Sequence, residues 1–113
     1  MRWILRSKIE KAIVSEASID AVEGFTIDED LIERVGFWPG EKVLVVDKKT
    51  GAQVDADLMV AERGSGRIAI HGALAHNINA GDEITILGFE LTDHPMVAKS
   101  ILVDDNNHFE RFL

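Results

Sequence analysis

The chain has 113 residues with 46% hydrophobic and 28% charged side chains, the composition of one globular domain, residues 1–113, and not of a disordered segment. Lys+Arg 12 against Asp+Glu 20 gives a net charge of -8, which disfavours nucleic acid and anionic membranes as partners. There is no cysteine, hence no disulfide, thiol nucleophile or Cys-ligated zinc. No apolar run reaches the roughly 20 residues that span a bilayer, and the charged opening Met1–Lys8 does not read as a signal peptide. A cytoplasmic protein is expected.

The elements follow in chain order. Lys8 to Ser18, with Ile9, Ala12 and Val14, reads as an extended segment. Asp28 can cap a helix in which Leu31, Ile32 and Val35 fall at helical spacing, and Gly36 stops it before the Pro39-Gly40 turn. Strands Val43 to Asp47 and Ala56 to Ala61 flank the hairpin turn Lys48-Lys49-Thr50-Gly51. Glu62 to Gly66 forms another turn, with Glu62 and Arg63 expected as an ion pair. Ala73 to Ile78 gives a shorter helical turn, ended by Asn79-Ala80-Gly81. Strands over Ile84 to Phe89 and Met96 to Val103 follow, then a polar tail from Asp104 to Leu113. Trp3, Phe37 and Trp38 are expected in packing or subunit contacts.

The chain also repeats itself weakly. Phe25 to Leu31 leads into Pro39-Gly40-Glu41 and an apolar strand, and Arg67 to Leu74 leads into Ala80-Gly81-Asp82 and another. Many short strands, two brief helices and internal pseudo-symmetry predict a mainly β protein, a small closed barrel.

Ala61-Glu62-Arg63-Gly64-Ser65, then Arg67-Ile68 and Gly72-Ala73-Leu74-Ala75-His76, are similar to the aspartate 1-decarboxylases of the pantothenate pathway. So are Ser7-Lys8-Ile9, the Ile27-Asp28 helix start, the Gly81-Asp82 turn, and Pro95-Met96-Val97 with Val103-Asp104. The resemblance covers nearly the whole chain in order. It implies a double-psi β-barrel with two short helices, assembled as a homotetramer with active sites between subunits. It also implies a pyruvoyl group made when a serine hydroxyl attacks the carbonyl of the preceding glycine. The corresponding segment here is Val22-Glu23-Gly24-Phe25. Phe25 has no nucleophilic atom, so no self-cleavage, and no cofactor, is expected.

Other positions implied by the resemblance are Lys8, retained, and Gln53, Asp57 and His71 in place of the family's arginine, tyrosine and asparagine. Lys8, Asp57 and His71 are candidate catalytic residues; Gln53, Gly72 and Ala73 are candidate substrate contacts. Asp57 would orient His71 as an acid–base pair, and Lys8 would meet a substrate carboxylate. The histidines and aspartates do not have the spacing of a metal site. The expected function is cofactor-independent acid–base chemistry, as a lyase or isomerase, on a small carboxylated metabolite. Aspartate 1-decarboxylation to β-alanine and a non-catalytic metabolite- or partner-binding module are the alternatives.

Overall fold

The computed structural model describes residues 1–113. Nine strands form in chain order: β1 (Arg2–Ile13), β2 (Glu16–Ser18), β3 (Gly24–Asp28), β4 (Lys42–Asp47), β5 (Gln53–Ala61), β6 (Ile68–His71), β7 (Glu83–Thr92), β8 (Lys99–Val103) and β9 (Phe109–Phe112). Helix α1 (Glu29–Val35) joins β3 to β4, and a 3-10 turn (Gly72–His76) follows β6. The strands lie side by side in the order β2-β6-β3-β5-β4-β7-β1-β8-β9. Three neighbouring pairs are parallel, β1 with β8, β2 with β6 and β3 with β5, and the rest are antiparallel. This mixed sheet, wrapped on one core, is the mainly β double-psi barrel with two short helices that the sequence predicts.

Period-two alternation makes the core. Phe25 and Ile27, Val43 and Val45, Ala56 and Leu58, and Ile84 and Ile86 point inward and are buried. Helix α1 closes one side with Leu31, Ile32 and Val35. Asp28 caps it by accepting from the Asp30 N–H, and Gly36 ends it at φ 76°. The second helical segment is only a 3-10 turn. His71 makes no side-chain cap there, and five residues are too few to nucleate an α-helix.

The structure departs from the sequence reading in four places. Strand β1 begins at Arg2, well before Lys8, because Trp3 and Leu5 pair with Leu91 and Phe89 of β7. Strand β8 begins at Lys99, not Met96. The tail is not a polar appendage: β9 pairs with β8, and the Arg34 guanidinium lies 3.9 Å from the Phe109 ring centroid. Arg63 pairs with Glu29, Asp30 and Glu33 of α1, and not with Glu62. Phe37 is buried, while Trp3 and Trp38 are exposed. No helix is long and apolar enough to cross a membrane.

Candidate active site

Pairing across the outer face of β2, β6, β3, β5 and β4 aligns one residue from each strand. Ser18 is level with His71, and His71 with Gly24. Gly24 precedes Phe25, which is level with Leu58, so Gly24 stands beside Asp57; Asp57 in turn pairs with Lys42. Paired residues share a face, so the row reads Ser18, His71, Gly24, Asp57, Lys42. Gly24, between His71 and Asp57 in the row, has no side chain, and His71 is not part of the lining of the cleft beside it. An open cleft of about 350 Å³ lies over the Gly24 end of β3, lined by Glu23, Lys42, Asp55, Asp57, Met59 and Leu74 among others.

Two strand spacings of about 4.8 Å separate the backbones of His71 and Asp57, hence roughly 10 Å. No hydrogen bond or ion pair joins the two side chains within the chain. The carboxylate beside His71 is that of Glu16, whose Oε2 lies 3.3 Å from His71 Nε2. The same oxygen accepts from Arg67 at 2.7 Å. The Arg67 guanidinium holds the Glu16 carboxyl below the usual carboxylate range, with His71 adding to the effect. Sequence reasoning missed Glu16. The signal that could have found it is register: Glu16 and Ser18 alternate on a strand whose parallel partner ends in His71.

The remaining candidates are spread over the barrel. Lys8 lies on β1, paired with Leu87 and Ser100, with Nζ 3.4 Å from Glu10 Oε1. Three strand spacings, about 14 Å, separate β1 from β5, so a single chain does not bring Lys8 to Asp57. Gln53 begins β5 on the same face as Asp55 and Asp57, four residues before the latter and exposed. Gly72 is buried at φ 77°, where an added Cβ would meet Glu23 Cα at 2.6 Å. It is therefore the close approach that seats the Glu23 segment at the cleft. Ala73 is exposed beside it.

Phe25 points away from the cleft. Its side chain is fully buried, between neighbours Leu58 and Ile70. Thr26, level with Ala69 and Met59, carries the one hydroxyl between Gly24 and Asp28 and is half-buried. The cleft lining counts Glu23, Asp55 and Asp57 against Lys42, and Lys42 Nζ already lies 3.7 Å from Asp55. Such a lining favours a ligand ammonium; a ligand carboxylate needs a cation from elsewhere.

These features define the class of the protein: a small, mainly β barrel with an open polar cleft at the start of β3. Within that class, a sequence model described as aspartate decarboxylase matches residues 1–110. The aspartate 1-decarboxylase of Bacillus subtilis (strain 168) is 34% identical over 116 aligned residues, covering 99% of this chain and 91% of that protein. That of Corynebacterium efficiens is 44% identical over 89 residues, 79% of this chain and 65% of that protein. That of Geobacillus sp. (strain WCH70) is 32% identical, with coverage of 99% and 91%. The chain belongs to the aspartate decarboxylase family.

Proposed function

We propose that this family member stays uncut, carries no pyruvoyl group, and acts on a small metabolite by side-chain acid–base chemistry at the Gly24 cleft. The observation that carries this reading is Phe25. A pyruvoyl at this point requires a hydroxyl or thiol on the residue after Gly24, and here that residue is an apolar side chain fully buried in the core. The residues present do not fit the group. Thr26 is a poor substitute: Phe25, and not glycine, precedes it, and a buried ring gives the backbone none of glycine's freedom.

In this reading His71 moves the proton and Glu16 orients it. Asp57 and the acidic lining receive a substrate ammonium. Lys8 supplies the charge for a carboxylate from a neighbouring subunit of a homotetramer. Support for assembly comes from a second groove, about 310 Å³, lined by Trp3, Val43, Leu44 and Phe89 with Lys42 and Asp55. Lys42 and Asp55 also line the cleft, so a subunit packed on Trp3 and Phe89 would complete the cleft wall.

A second reading is aspartate 1-decarboxylation to β-alanine. The shared description of the relatives, over 99% of this chain in the Bacillus and Geobacillus proteins, backs it more directly than it backs a new reaction. Incubation with L-aspartate, followed by NMR for β-alanine, separates the two. The first reading expects no β-alanine, and expects amino and carboxylic acids in a ligand screen to perturb Gly24, Asp57 and His71 resonances. Stoichiometric turnover to β-alanine that resists mutation of His71 would establish the second.

A further inference from the structure

One buried side-chain oxygen lacks a hydrogen-bond partner, Oδ2 of Asp47. Asp47 ends β4 and is fully buried. Its Oδ1 accepts from the Lys49 N–H at 2.8 Å and the Thr50 N–H at 3.1 Å, shaping the β4–β5 turn. A buried carboxylate oxygen with no donor is costly, and the group relieves that cost by taking a proton.

What faces Asp47 is a second acid. Asp82, also buried, stands just before β7, two residues ahead of Ile84, which is level with Asp47, and the Lys48 N–H bonds the Glu83 carbonyl at 3.0 Å, so the two carboxyls lie side by side at the ends of neighbouring strands. Its Oδ2 accepts from the Asn79 N–H at 3.0 Å. The charged groups around the pair are few. Lys48 is turned to Glu83 at 3.3 Å, and Lys49 acts on Asp82 from the turn. Val14, bonded through its backbone to Gly81 and Asp82, and Ile84, level with Asp47, bring no titratable group. No ion pair reaches the free oxygen of Asp47.

We propose that Asp47 and Asp82 share one proton, with Asp47 as donor, and that this bond fastens the β4–β5 turn to the turn before β7. Burial first, and Asp82 second, push the Asp47 carboxyl above the usual aspartate range. The bond from Asp47 first, and the Asn79 N–H second, hold Asp82 below it. The signs then oppose each other. Asp47 contributes stability that is complete at low pH and is lost as pH rises through its raised titration. Asp82 contributes stability present above the ordinary aspartate range and lost as pH falls through its lowered one. The fastening is strongest between the two, in mildly acidic solution.

Asp47→Asn tests this without disturbing the turn. The amide oxygen keeps the Lys49 and Thr50 bonds, and the amide NH2 takes the place of Oδ2 and donates to Asp82 at every pH. Thermal unfolding of the full chain from pH 4 to 9 should show the wild-type midpoint falling on the alkaline side. The variant should stay flat there and melt about 4 °C or more above wild type at pH 8. Carboxyl 13C NMR of aspartate-labelled protein should find one aspartate titrating above the others, absent from Asp47→Asn. No such carboxyl, or a variant that melts below wild type at pH 8, overturns the proposal. A midpoint raised by Mg2+ or Ca2+ at pH 8, and lost in Asp47→Asn, overturns it too, since a cation would then hold the pair.

Discussion

Two aspartates buried at strand ends in this barrel meet opposite fates. Asp28, at the end of β3, accepts from three backbone N–H groups: Asp30 and Gly64 on Oδ1 at 2.9 and 2.8 Å, and Gly66 on Oδ2 at 2.9 Å. Asp47, at the end of β4, fills one oxygen and leaves the other facing a second carboxyl. Burial alone therefore does not decide what an acid does; the count of donors does. Asp28 ties helix α1 to the Gly64–Gly66 turn through those three bonds, whereas Asp47 needs a proton to complete its own.

The sharpest way to break the comparison is at Asp28. Asp28→Ala would strand three backbone donors, and an unsatisfied buried donor costs about 1–3 kcal/mol. A loss of roughly 3 kcal/mol or more in urea unfolding is expected. Gly72→Ala comes next. A Cβ there would lie 2.6 Å from Glu23 Cα at φ 77°, so strain and backbone displacement should cost about 2 kcal/mol, and the loss should appear with altered amide shifts at Glu23 and Gly24.

Two isosteric changes sharpen it further. Asp28→Asn should destabilise by about 1–2 kcal/mol, because an amide NH2 would then oppose the Gly66 N–H. Asp47→Asn should do the reverse at pH 8. Opposite signs for the same chemical change at two buried aspartates would be the clearest reading of donor count. The smallest effect is expected at Glu16→Gln. Glu16 is half exposed, its pairs with Arg67 and His71 face solvent, and such pairs add little. The unfolding midpoint should hardly move, while the 15N signals of the His71 ring should.

Much of the barrel was legible. The spacing of Leu31, Ile32 and Val35 after Asp28, and the alternation in Val43–Asp47, are local signals, and local signals survive folding. The tail's place is not legible locally, because Phe109 is held by β8, by the core and by Arg34, the last more than 70 positions away. The outward turn of Arg63 toward α1 is likewise a matter of tertiary geometry. At the site, the resemblance implies one pocket around Lys8, Gln53, Asp57 and His71; register puts His71 and Asp57 in one row on either side of Gly24, with Lys8 on β1 and Gln53 four residues before Asp57. The resemblance could not name Glu16, whose contact with His71 arises from the parallel pairing of β2 and β6. Lys8 stands apart from Asp57 for a similar reason: it lies on β1, three strands from β5, and that strand order is set by long-range pairing.

The chain is proposed to stay uncut because Phe25 carries no hydroxyl or thiol to start self-cleavage. Denaturing mass spectrometry of the purified protein tests it most directly. One species is expected at the full 12.5 kDa of the chain, inert to carbonyl reagents such as phenylhydrazine. Two fragments, the larger one beginning with a ketone in place of Thr26, would contradict it.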